Sequence, residues 1–163
     1  MDKKDITTQI YDLLEETASY IDNTTWHNKY SLALKSLQEE LNKEYPNKLK
    51  ENIINKNLAV MKDKKCASFF EQLEKAIKRK DIISVNHRIT AILSSYFDIL
   101  FALNKELHPG EKKLIKYAHK LCKSLPENFD NDIENIINSK LNKNILDNVD
   151  KLIENLKKII QIV

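Results

Sequence analysis

The sequence predicts an all-α fold, a single bundle of about seven or eight helices gathered around one long helix near residues 82–107. Three observations lead there. The 163 residues include one glycine and three prolines, far too little turn chemistry for the many reversals of a sheet protein. Apolar residues recur at three- and four-residue spacing through nearly every segment, the period of a helix with a buried face. The stretch after Asp81 is apolar over well more than a third of the helical circle, so it must be enclosed on several sides.

A chain of this length is one domain with room for a sizeable core. In order, 1–25 is expected to be a peripheral N-terminal helix, and 141–163 a helix that packs across the bundle or forms a dimer seam. Ile6, Ile10, Leu13, Leu14 and Ile21 predict the first helix over about 5–22, broken at Asn23-Thr24-Thr25. The second runs from Trp26 to about Glu44, with Tyr30, Ala33, Leu34, Leu37 and Leu41 on one face. Trp26 either staples that helix to the core or builds an aromatic wall with Tyr30.

Pro46 suits the first turn of a third helix to about Lys62, which should bury Leu49, Ile53, Ile54, Leu58 and Met61. A fourth, from Cys66 to Lys80, points Phe69, Phe70, Leu73 and Ile77 inward and ends in Lys78-Arg79-Lys80, where basic residues complement the helix dipole.

Asp81 is placed to cap the central helix. Its apolar arc carries Ile82, Val85, Ile89, Ile92, Leu93, Tyr96, Phe97, Leu100, Phe101 and Leu103. The other arc is small and polar: Ser84, His87, Arg88, Ala91, Ser94, Ser95, Asp98 and Ala102. Small residues admit another backbone or a ligand, and His87, Ser94 and Asp98 share one face. His87, Arg88, Ser94, Asp98 and Asn104 are therefore the candidate groove residues. Asn104 sits at the rim of the apolar arc, where an amide needs partners. It either ties the helix end to the following turn or contacts a ligand.

Leu107-His108-Pro109-Gly110 is expected to end this helix, with the sole glycine at positive φ where no side chain fits. His108, Gly110, Lys112 and Lys113 are the candidate anion contacts at the next helix start. That helix, over 111–123, turns Leu114, Ile115, Ala118 and Leu121 inward and is the most basic, through Lys112, Lys113, Lys116, His119, Lys120 and Lys123. Its charges form either a solvated face or a surface for phosphate. His119 and Cys122 stand three apart, but two ligands make no site, and no metal or cofactor is predicted. Pro126 begins a helix burying Phe129, Ile133, Ile136 and Ile137, and Ile145, Val149, Leu152, Ile153, Leu156, Ile159 and Ile160 stripe the last one.

The runs Phe101-Ala102-Leu103-Asn104 and His108-Pro109-Gly110-Glu111-Lys112-Lys113-Leu114 resemble the signature of a bacterial and archaeal family of unknown function. There a minimal nucleotidyltransferase domain is fused to a C-terminal helical bundle similar to the HEPN class and to the helical domain of kanamycin nucleotidyltransferase. The resemblance spans roughly 26–138 and includes the Trp26 to Pro46 stretch and the Leu125-Pro126 turn. It implies a helical half, partnered by a nucleotidyltransferase domain or protein. The Gly-Ser pair and spaced aspartates of the transferase half find no counterpart here, so its catalysis does not carry over.

The expected function is thus a non-catalytic accessory or substrate-binding module for a nucleotide or small molecule. One alternative is a HEPN-type ribonuclease, disfavoured because no Arg is followed by His at the needed spacing. The other is a plain interaction or homodimerisation domain. A net charge of +3, from 27 basic and 24 acidic residues, is too balanced to announce nucleic acid. No apolar run reaches membrane-span length. Two cysteines are too few for a disulfide framework, which fits a cytoplasmic protein with reduced thiols.

Overall fold

The structure, a computed structural model, describes residues 44–62, 67–139 and 144–162, together with 32, 33 and 35. The chain divides into two compact units, Met1–Glu44 and Tyr45–Val163. The helices expected over 5–22 and 26–44, with Trp26 and Tyr30, fall almost wholly outside the described residues.

Among the described residues the architecture is all-helical, with six helices: α1 (Asn47–Lys62), α2 (Phe69–Lys78), α3 (Ile82–Leu103), α4 (Leu114–Leu121), α5 (Phe129–Asn138) and α6 (Ile145–Ile162). The long helix α3 is the centre. α1 and α2 pack along it and on each other, α4 and α6 also touch it, and α5 pairs with α6, which in turn touches α2. From Ser95 to Leu103 every residue of α3 except Asp98 is buried, so this half is surrounded on nearly all sides. Tyr96, Phe97, Phe101 and Phe129 form an aromatic cluster, with Phe97 edge-on to Tyr96 at 5.5 Å and to Phe129 at 6.2 Å. The core begins at Val85. Ile82 and Ile83 in the first turn are exposed, although Ile82 belongs to the apolar arc.

Side chains and backbone set the helix ends. Ser68 caps α2 by accepting from the Glu71 N–H, which starts that helix at Phe69 rather than Cys66. Asp81 caps α3 as expected, accepting from the Ser84 N–H at 3.1 Å and from the Ser84 hydroxyl at 2.6 Å. These two bonds hold the Asp81 carboxyl below its ordinary range. α3 ends at Leu103, not near Leu107. Lys105 turns left-handed at φ 57°, its N–H donates to Ala102 O, and the Glu106 N–H donates to Phe101 O. Lys80 ends α2 in the same way, at φ 58°, with bonds to Ile77 O and from Asp81 to Ala76 O. Both are Schellman closures in which lysine takes the position glycine favours.

The last helix is spent inside the bundle. Ile145, Val149, Leu152, Ile153 and Leu156 are all buried against the chain's own core. Asp132, a buried carboxylate on α5, accepts from Asn155 Nδ2 of α6 at 2.6 Å and lies 3.5 Å from Lys151 Nζ. Lys62 at the end of α1 pairs with Asp150 and with Glu154 of α6, its ammonium 5.1 Å from the Phe70 ring centre. Ile137 and Ile115, expected inside, face outward.

Candidate ligand-binding groove

A groove of about 410 Å³ runs between α1 and the C-terminal half of α3 and is also lined by the loop after α3. α1 begins directly after Tyr45-Pro46, with the Lys50 N–H bonded to Pro46 O at 3.1 Å. Along α1, Leu49, Asn52, Ile53 and Lys56 fall on one face at i, i+3, i+4 and i+7, and Asn57 adjoins them; all line the groove with Tyr45. α3 supplies Asp98, Phe101 and Ala102, and the loop supplies Glu106, Leu107 and His108. Leu49 and Leu107, at 43% and 48% exposure, are apolar side chains left uncovered at the mouth.

The polar end is built around Asp98. His108 Nδ1 accepts the Gly110 N–H at 3.1 Å, so in the neutral ring the proton sits on Nε2. That nitrogen lies 3.8 Å from Asp98 Oδ1, too far for a hydrogen bond. The ring is held edge-on to Phe101 at 5.2 Å. No hydrogen bond from any described residue reaches the Asp98 carboxylate, whose side chain is 42% exposed. The Tyr45 phenol is pushed above its usual range by burial and, second, by the charge of Asp98. Tyr45, Asp98 and His108 thus come together in a trough whose other lining mixes apolar Leu49, Ile53, Phe101, Ala102 and Leu107 with polar Asn52, Lys56, Asn57 and Glu106.

The expected candidates divide accordingly. Asp98, assigned to the face of the long helix, and His108, assigned to the turn, come together here. His87 and Ser94 are exposed and lie outside the lining. Arg88 turns toward α2, its guanidinium carbon 5.9 Å from the Phe69 ring centre. Asn104 is a structural tie: Nδ2 donates to Leu100 O at 2.8 Å and Ser124 O at 2.9 Å, and Oδ1 accepts the Ser124 N–H at 2.8 Å. Gly110, at φ 87°, gives its N–H to His108, which leaves that donor engaged rather than open to an anion. The expectation that no side chain fits at Gly110 is corrected: a Cβ there would meet nothing within 4 Å, and only the backbone conformation calls for glycine. Lys112 and Lys113 are exposed, with Lys113 itself left-handed at φ 57° and offering α4 no side-chain cap.

The sequence reading missed the α1 wall and Glu106. A signal was present, since Leu49, Asn52, Ile53 and Lys56 form a mixed polar and apolar stripe beside the wholly apolar Ile54, Leu58 and Met61. A second polar cluster lies elsewhere. His119 Nε2 sits 2.9 and 3.0 Å from the two oxygens of Asp130, its ring edge-on to Phe129. No group of three or more metal-ligating side chains occurs among the described residues. Nearby, Tyr96 is buried with its hydroxyl unpartnered and its phenol pushed far up by burial, and burial followed by the charge of Glu106 pushes the Cys122 thiol up to about 12.

A family model described as Domain of unknown function (DUF4037) matches residues 14–114. The chain belongs to the DUF4037 family. Every groove residue, from Tyr45 to His108, falls inside the DUF4037 match, whereas α5 and α6 lie beyond it. No curated protein and no solved structure matches the chain.

Proposed function

We propose that this DUF4037 protein is a non-catalytic helical accessory module that holds a small-molecule substrate in the groove between α1 and α3 for a nucleotidyltransferase domain or protein. The groove carries the reading: a trough in the size range of small-ligand sites, where apolar surface from Leu49, Ile53, Phe101, Ala102 and Leu107 adjoins polar groups, among which Tyr45, Asp98 and His108 converge. His108 supports a holding role, because the Gly110 N–H engages its Nδ1 and the ring is set edge-on against Phe101. The nucleotidyltransferase link rests on the resemblance of the 101–114 motif, which supplies Phe101, Ala102 and His108 to the groove lining.

Thermal unfolding against nucleotides, nucleosides and a small-molecule collection tests the binding half, and affinity copurification tests the partner half. A ligand at a hundred times its Kd should stabilise the fold by about 2.7 kcal/mol. The gain should vanish in Asn52→Trp, which places an indole across the groove from an exposed α1 position. If no compound raises the melting temperature and no transferase copurifies, the proposal fails.

A further inference from the structure

We propose that the ligand of the groove is an organic cation, a primary or secondary ammonium carried on an apolar body. The inference rests on the groove being a binding site and adds the charge of what binds.

The order of burial decides the sign. The carboxylates of the groove, Asp98 and Glu106, belong to half-buried residues, whereas its lysine, Lys56, is exposed. A charge drawn partly out of water interacts more strongly than one in full solvent, so the carboxylates dominate the field inside. His108 does not cancel Asp98 in its neutral ring form, the tautomer matched to the Gly110 N–H. Asp98 is therefore a carboxylate with no hydrogen-bond donor among the described residues, set beside the apolar surface of Phe101 and Ala102. Its side chain is 42% exposed, so water meets it in the open groove, and a bound ammonium would take that water's place. An ammonium brings several donors in a compact charge, and a charge-assisted bond to carboxylate is among the stronger ones available.

The surroundings suit the remainder of such a ligand. Tyr45 stands near Asp98, where an aromatic face attracts a cation. Leu49, Ile53 and Leu107 form the outer wall, two of them exposed, and gain by covering an apolar body. An anionic ligand would meet Asp98 and Glu106 within and only the exposed Lys56 at the edge.

Three probes of one shape separate the possibilities: 2-phenylethylammonium, neutral 2-phenylethanol and anionic 3-phenylpropionate, each titrated at millimolar concentration while backbone amide resonances are followed. The ammonium should shift amides of 45–57 and 98–108 and bind about tenfold more tightly than the alcohol, the advantage shrinking in high salt. Asp98→Asn, of the same shape, should weaken the ammonium about fivefold or more and Glu106→Gln about twofold, each by clearly more than it changes the alcohol. Preference for 3-phenylpropionate, lost in Lys56→Met, would overturn the cationic assignment while leaving the groove a binding site. If none of the three moves a groove amide, the binding-site reading falls with it.

Discussion

Replacing Asn104 by alanine gives a sharp test of how the central helix is joined to the loop before α5. Asn104 makes three side-chain hydrogen bonds, but they are not equal. The bond to Leu100 O shares an acceptor already used by the Asn104 backbone N–H, so little is lost there. The two bonds to Ser124 span twenty residues and satisfy both its N–H and its C=O. At about 1 kcal/mol net for each, with a further cost for leaving half-buried Ser124 groups without partners, Asn104→Ala should destabilise by about 2–3 kcal/mol. Asn104→Asp keeps one acceptor for the Ser124 N–H, loses the donor and sets a carboxylate against Ser124 O, so it should cost at least as much. Urea unfolding followed by helical circular dichroism measures both losses, and hydrogen exchange at the Ser124 amide reads the bond itself. A loss under about 0.5 kcal/mol, or unchanged Ser124 protection in Asn104→Ala, would refute the argument that this amide ties the two segments together.

Other outcomes follow from particular side chains. Phe97, 5% exposed and ringed by Tyr96, Phe101 and Phe129, should cost about 3–5 kcal/mol on truncation to alanine, while exposed His87→Ala should stay within about 0.5 kcal/mol by the same urea assay. Lys80→Gly and Lys105→Gly should each stabilise by about 0.5–1 kcal/mol in thermal melts, because both lysines hold positive φ. The Cys122 thiol, pushed up to about 12 by burial and then by Glu106, stays protonated in the fold at pH values where an unfolded thiol ionises. Its raised folded pKa gives stability that is fully present below the ordinary thiol range and is lost as pH rises from about 9 toward 12. Accordingly, iodoacetamide labelling of the Cys122 peptide at pH 8, read by mass spectrometry, should be well over tenfold slower in native than in unfolded protein.

The sequence foretold the organisation better than the ends of the elements. The arc from Val85 to Leu103 was legible because apolar periodicity reports burial directly, and Asp81 was legible because a carboxylate before an apolar run has one evident use. The end of α3 was not. Proline and glycine at 109–110 drew the boundary outward, while the actual stop is Lys105, a residue with no local preference for the left-handed conformation it adopts. The start of α4 was misplaced for the same reason, at Lys113. The site was half legible. Asp98 and His108 were each singled out, but their meeting depends on the path of the 104–110 loop, which helical spacing does not encode. Leu49 and Ile53 were read as core because an apolar stripe looks alike whether it faces a neighbour or an open trough.

Where small molecules settle on the protein decides whether the groove between α1 and α3 is a binding site. A fragment collection of mixed charge, screened by amide chemical shifts on the whole chain, supplies that measurement. Hits should converge on Tyr45, Leu49, Ile53, Phe101 and Leu107, with cationic fragments prominent among them. Hits that scatter over the surface, or gather at Ile82 and Ile83 while the groove amides stay still, would contradict it.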